Sequence, residues 1–250
     1  MKKNLLILMA LLASSLTIAQ EIRHHSASSL IMFHGNLGFH VPGGAMAERF
    51  GNSFLAGAGF LYKTDKNWLW GMEADLIFGN DVKEDGLFEA IQTETGFLIN
   101  ASGLYADVIL YERGFLIGPK VGRVIPLNPA KPDRGLMFTL SPGLMQHKIR
   151  IIDEGNATPP LDEPYLKGYD RLTNGMALTG FLGYFFTSER RLTSFFAGVE
   201  AVHGWTMSRR DWDFDRMSKD TEHRSDLLTG IKVGWIIQLG GGRPDKIYYY

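Results

Sequence analysis

Apolar and polar residues take turns along much of this chain. In WLWGMEADLIF, starting at Trp68, the residues Trp68, Trp70, Met72, Ala74, Leu76 and Phe78 point one way and Gly71, Glu73 and Asp75 the other. Successive side chains of a strand leave on opposite faces, so this period of two predicts a strand. LLTGIKVGWIIQL repeats the arrangement, with Leu227, Ile231, Val233, Trp235, Ile237 and Leu239 against Gly230, Lys232, Gly234 and Gln238. SFFAGVEAVHGW sets Phe195, Ala197, Val199, Ala201 and Trp205 against Gly198, Glu200 and Gly204. IGPKVG sets Ile117, Pro119 and Val121 against Gly118, Lys120 and Gly122. Glycine and charge share one face in all four segments.

A soluble sandwich would cover its outer face with polar side chains and would not place glycine on both sides of a charge. The interior of a small barrel is narrow, so it mixes small residues with long ones that pair, while the lipid-facing side stays apolar with aromatics near the interfaces. The predicted fold class is therefore all-β, a transmembrane antiparallel up-and-down β-barrel. Strands are expected at 29–40, 53–63, 68–79, 105–127, 136–152, 175–187, 194–208 and 225–239, eight in all. Bacterial barrels have an even strand number, with short turns on the periplasmic side and long loops outside. TDKN (Thr64 to Asn67), NPAKPDRG (Asn128 to Gly135) and SERRLT (Ser188 to Thr193) then fall inside. The segment VPGGAMAERFGN, the stretch from Asn80 to Leu104, EGNATPPLDEPYLKGYDRLTN and RRDWDFDRMSKDTEHR fall outside. YERG (Tyr111 to Gly114) also reads as a hairpin, which would add a strand within 80–104 and give ten.

The N-terminus predicts export. MKKNLLILMALLASSLTIAQ has Lys2 and Lys3 before an apolar run from Leu5 to Leu12, then small residues ahead of Gln20, the pattern of a cleaved secretory signal over 1–19. Ser14, Ser15 and Thr17 interrupt the run before it reaches the roughly 20 apolar residues of a membrane helix. Residues 20–28 are expected to be a periplasmic lead, 29–239 the barrel and 240–250 a periplasmic tail. Removing the signal moves the formal charge from −1 to about −3, so no basic footprint for nucleic acid exists. The absence of cysteine excludes a lipoprotein anchor, a disulfide scaffold and a thiolate metal site. Hydrophobic content of 45% would suit a soluble protein, but the 29 glycines sit mostly inside apolar stretches, as a narrow lumen requires.

Candidate chemistry lies in the lumen and the outer loops. Glu73, Asp75, Lys120, Glu200 and Lys232 should share the interior as a hydrogen-bonded network, because a buried charge without a partner is very costly. The alternatives are a structural plug and an ion path, and a barrel of eight strands, which leaves room only for side chains, favours the plug. In DWDFDRMSKDTE, Asp211, Asp213, Asp215 and Glu222 occupy positions of a calcium loop, but Arg216 stands where that loop needs glycine. No metal or other cofactor is therefore expected. Tyr165, Tyr169, Arg209, Arg210, Trp212 and Phe214 are candidates for an outward partner surface, because aromatic and arginine side chains are typical anchors of interfaces; the alternative is that these loops pack on one another over the barrel mouth. Of the histidines, His34, His40 and His147 can face the lumen, with no serine or carboxylate placed beside them by parity, and no catalytic residues are expected. His24 and His25 lie in the lead, and the chain ends on the aromatic run Tyr248, Tyr249 and Tyr250. Outer-membrane proteins often end on an aromatic residue read by the assembly machinery.

The segments ERGFLIGPKVGRVIP, LMQHKIRI, KGYDRLTNG, KVGWIIQL and the terminal KIYYY resemble those of small outer-membrane barrels of the Bacteroidota with the OmpA/OmpX-like architecture. The resemblance implies outer-membrane lipid and lipopolysaccharide as surroundings. It also implies a role as an accessory subunit of a larger machine, such as type 9 secretion or barrel assembly, in contact with other outer-membrane or periplasmic proteins. A narrow channel and a lipid A-modifying enzyme are the alternatives.

Overall fold

The tight turn between two of the expected strands shows how local chemistry sets the register. Thr64 N–H donates to the carbonyl of Trp68 at 2.8 Å, Asn67 N–H donates to that of Thr64 at 3.0 Å, and Asn67 takes a left-handed φ of 62°. Asparagine tolerates that conformation because its short side chain makes local hydrogen bonds. The turn leaves Lys63 opposite Leu69 and carries the pairing up to Phe54 opposite Phe78. In this computed structural model, which describes residues 27–84, 86–155, 158–188 and 194–240, eight strands repeat the pattern. They are β1 (Leu30–Gly44), β2 (Ser53–Lys63), β3 (Trp68–Gly79), β4 (Val108–Pro126), β5 (Gly135–Asp153), β6 (Thr173–Phe186), β7 (Ser194–Ser208) and β8 (His223–Gly240).

Each strand pairs antiparallel with the next, and β8 returns to β1, where Phe39 faces Ile231, so the sheet closes into a ring. Closure leaves no unpaired edge. Tyr111–Gly114 is not a hairpin. It continues β4, with Glu112 turned inward and its carboxylate accepting a 2.7 Å hydrogen bond from the Ser53 hydroxyl. Eight strands, not ten, therefore stand. The first outer connection differs from the expected loop: β1 runs on to Gly44 and a five-residue helix, α1 (Ala45–Arg49), follows with Met46 buried. The signal segment 1–19, His24, His25 and Tyr248 to Tyr250 lie outside the described residues.

Alternation sorts the interior into layers. At the end carrying the short turns, Met32, Leu61, Leu69, Val124, Met137, Phe181, Phe185, Phe196 and Ile236 form an apolar cluster. Below it Lys63 Nζ donates to Asp133 Oδ1 at 2.7 Å, to Asn67 Oδ1 and to the Ser28 carbonyl, tying the lead and two turns across the opening. At the other end Met46, Phe50, Leu87, Phe88, Leu161 and Tyr169 from the long connections pack on Leu55, Ile77, Met145 and Leu228 from the strands. A polar layer lies between. The ring is also tightly spaced in places: a Cβ on Gly118 would stand 2.2 Å from the Pro142 carbonyl oxygen of β5.

Candidate functional site

The polar layer takes its shape from parity and register together. Glu73 and Asp75, two residues apart on β3, both point inward, and β2 sets Gly59 and Gly57 opposite them. A Cβ on Gly57 would lie 2.0 Å from Asp75 Oδ1, so glycine clears the space these carboxylates occupy. This is the physical reason that glycine and charge share a face. From β8, Lys232 Nζ donates to Glu73 Oε1 at 2.9 Å, to Asp75 Oδ2 at 3.0 Å and to Glu200 Oε2 of β7 at 2.7 Å. Lys120 of β4 reaches the second oxygen of Glu73 at 2.5 Å. All five charged residues of the expected network thus meet, and each is buried.

Two histidines join them. His40 Nε2 lies 3.2 Å from Glu200 Oε1 and His34 Nε2 lies 3.5 Å from Glu73 Oε2. Three carboxylates face two ammonium groups here, and the two imidazoles sit against the carboxylate oxygens that Lys232 does not hold. Nearer the long connections, His147 Nε2 stands 2.9 Å from Asp226 Oδ2, which also accepts from the Thr206 hydroxyl. Each inward histidine therefore has a carboxylate beside it. Parity alone did not show these pairs, because the partners sit on other strands and only the register fixes their height.

The outer loops are clasped by charge. Arg49 of α1 binds Glu84 of the β3–β4 connection at 3.0 Å, and Glu84 also pairs with Arg171 of the β5–β6 connection at 3.5 Å. Arg171 in turn donates to Asp213 at 2.7 Å and to Asp215, both on the β7–β8 connection. One chain of ion pairs thus joins all four outer connections. The carboxylates of Asp213 and Asp215, which the sequence offers as calcium-loop positions, converge on a guanidinium. Burial pushes the Asp213 carboxyl above its usual range, although Arg171 pulls it back. Burial acts in the same direction on Asp220, but hydrogen bonds from Arg224 and from the Glu222 amide outweigh it and hold that carboxyl below the usual range.

The expected partner residues divide. Tyr169 is 5% exposed and packs against Phe88 and Phe214, so it belongs to the seal of the mouth. Phe214 lies over Gly168, where a Cβ would stand 2.0 Å from its ring, and its amide donates to the Gly168 carbonyl at 3.1 Å. Arg210 clamps the Asp170 carboxylate through two nitrogens, and Arg209 donates to Asn174 Oδ1. Tyr165 and Trp212 remain exposed. Sequence reasoning missed a second exposed apolar group on the β3–β4 connection. There the rings of Phe97 and Tyr105 pack at a tilt with centroids 4.7 Å apart beside Leu104, in a segment whose alternation is too short to read. It also missed Arg49, Glu84 and Arg171, whose partners are distant in sequence. On the outward face His203 Nε2 lies 3.0 Å from the Ser225 hydroxyl and stacks on Trp205.

No family model and no curated protein matches this chain. Among solved structures it is similar to Neisserial surface protein A, with 9% identity over 85% of this chain and 99% of that one and a TM-score of 0.44. It is similar to the N-terminal β-barrel domain of Pseudomonas aeruginosa OprF, with 13% identity over 84% and 99% and a TM-score of 0.38. It is also similar to the outer membrane protein OprG from Pseudomonas aeruginosa, with 10% identity over 88% and 100% and a TM-score of 0.36.

Proposed function

We propose that this protein is an outer-membrane barrel with a closed lumen, serving as a membrane-embedded, non-catalytic scaffold or accessory subunit of a larger envelope assembly. Its outward face supports the membrane placement. On β4 the outward residues Phe115, Ile117, Pro119 and Val121 are bounded by Arg113 at one end and Arg123 at the other. These arginines are ten residues apart, about 33 Å of strand at ~3.3 Å per residue. A tilt of roughly 40° turns that into a band ~25 Å tall, the height of the apolar belt of such barrels.

The observation that carries the closed-lumen reading is Lys232, held by three buried carboxylates between two apolar clusters. An ion crossing this layer would have to break pairs in a low-dielectric interior and then pass Phe185 and Phe196, both fully buried. With the interior closed, recognition falls to the surface, where Tyr165, Trp212, Phe97, Leu104 and Tyr105 stand exposed on loops that the ion-pair chain holds in place. Rigid loops lose less entropy when a partner binds. The resemblance in the sequence makes the type 9 secretion and barrel-assembly machines the first partners to examine.

The test has two parts. Planar bilayers containing the purified protein should show no unit conductance, either for the native chain or for Lys232→Met; steps that grow in Lys232→Met or Lys120→Met would establish a channel instead. Extraction in mild detergent should bring down other envelope proteins, with that recovery falling when Trp212, Phe97 and Tyr105 are changed to serine. A preparation that is monomeric and free of partners would sink the scaffold reading.

A further inference from the structure

Above the apolar band, the outward face of β4 and β5 turns basic. Arg113 of β4 stands directly across from Lys148 of β5, and Arg150 lies across from Tyr111 one step further out. Like charges placed opposite each other on neighbouring strands are destabilising unless something of opposite sign sits with them. The acid beside them is Asp170, 3.5 Å from Lys148 Nζ, and its carboxylate is already clamped by Arg210. Among the described residues no ion pair joins Arg113 or Arg150 to a carboxylate.

These cations rim an open groove of about 620 Å³ between β3, β4 and β5, floored by Leu76 and Phe78 and flanked by Leu166 of the β5–β6 connection. Arg113 is held in place: one Nη donates to the Glu112 carbonyl at 2.6 Å, and the guanidinium lies 4.8 Å from the Tyr111 ring centroid. Lys148 keeps 42% of its side chain exposed and Arg150 is exposed. The groove is thus basic at the outer rim and apolar toward the middle of the band. That is the polarity of a phosphorylated lipid, with an anionic headgroup at the interface and acyl chains below it.

We propose that the groove rimmed by Arg113, Lys148 and Arg150 binds the phosphorylated headgroup of an outer-leaflet lipid of the lipid A type, whose acyl chains run down over Leu76 and Phe115. The inference rests on the reading of the barrel as a membrane span with its long connections outward, and it adds a defined ligand position. A phosphate bridging Arg113 and Lys148 would accept charge-assisted hydrogen bonds from both and relieve their repulsion, as arginine forks favour. The equivalent position at the opposite rim differs. Arg123 lies over Trp68 at 5.4 Å and faces it across the β3–β4 pair, with no second cation in register.

The experiment uses the full chain purified in detergent, titrated with bis-phosphorylated lipid A and read by native mass spectrometry for retained lipid. Three comparisons run beside it: the same lipid after phosphatase treatment, inorganic phosphate, and the triple variant Arg113→Ser/Lys148→Ser/Arg150→Ser. Retention of intact lipid A, with at least a tenfold loss on dephosphorylation and a similar loss in the triple variant, supports the site; Arg123→Ser should retain the lipid as the native chain does. Equal retention of dephosphorylated lipid, or undiminished retention by the triple variant, overturns it. Millimolar inorganic phosphate that displaces the lipid completely would also overturn it, by showing a phosphate site that makes no use of the acyl groove. Heat-modifiable migration on gels checks that each variant is folded. Because the binding is read in detergent, failure of the site leaves the membrane placement intact, and cell fractionation tests that placement separately.

Discussion

At the residue scale, Lys232 ties the polar layer of the lumen together, because it donates to three buried carboxylates. Lys232→Met leaves Asp75 without its ammonium partner, and Glu73 and Glu200 with only Lys120 and the two histidines beside them, a loss of about 3–5 kcal/mol. Urea unfolding in detergent should therefore show a clearly lowered midpoint, with Lys120→Met, which removes a single partner of Glu73, costing less. Adding Asp75→Asn and Glu200→Gln to Lys232→Met, with Glu73 kept as the partner of Lys120, should recover much of the loss, since neutral groups cost far less to bury than unpaired charges. Equal midpoints for Lys232→Met and Lys120→Met would contradict this account. The outward pair of Ser225 and His203 is the residue-scale test of the non-catalytic reading. Ser225→Ala should leave the lipid A profile of cells unchanged, and Ser225 should not react with a serine-directed fluorophosphonate. Labelling at that position would make it a nucleophile. The five lumen charges were legible because parity alone assigns a face. Their histidine neighbours were not, because height across the lumen depends on the stagger of several strands.

Among the elements, β2, β3 and β7 begin and end at the expected residues, because a polar turn or loop stops the alternation at each end. The helix α1 escaped notice because AMAER is too short for a helical period to show, and its Met46 is buried by the other connections and not by neighbours in sequence. The same holds for the clasp through Arg171, a property of four loops meeting and not of any one. Arg171→Ala should therefore loosen loops without unfolding strands. Limited proteolysis is expected to open a cut between Arg209 and Glu222 while the strand amides keep their protection in hydrogen exchange. A drop in global unfolding midpoint with no new cut would place Arg171 in the barrel's stability instead. The pH dependence of the same loop follows from Asp220. Its carboxyl is held below the usual range, so the stability it contributes is present above about pH 4, the ordinary aspartate value, and is lost as pH falls through the lower folded value. The part of the exchange protection of the β7–β8 connection that Asp220 supplies should be lost only beneath about pH 4, and Asp220→Asn should remove that decline. A decline that begins near neutral pH would mean that Asp220 is not the controlling group.

For the whole molecule, ring closure was legible as an inference from composition. Glycine and charge on one face, with aromatics and aliphatics on the other, leave few architectures other than a small barrel. Orientation rests on a different argument, the asymmetry of the connections. TDKN is closed by the Thr64 and Asn67 hydrogen bonds, whereas the connections at the opposite end are long and clasped. The basic groove of Arg113, Lys148 and Arg150 lies at the long-loop end, so an orientation with the long loops outward would put it in the leaflet that carries phosphorylated glycolipid. Because the chain has no cysteine, orientation can be read without first removing any native thiol. Tyr165→Cys, on an exposed loop residue, should react with a membrane-impermeant maleimide in intact cells. Lys66→Cys, in the short turn, should react only after the outer membrane is permeabilised. Both substitutions fall on exposed side chains, so folding should be unaffected and the pattern reads geometry alone. The reverse pattern would invert the barrel, move the groove to the inner leaflet and leave the proposed lipid site facing the wrong headgroups. Labelling of both positions in intact cells would mean that the short turns are not shielded by a membrane, and the reading of the apolar band between Arg113 and Arg123 as a lipid span would fall with it.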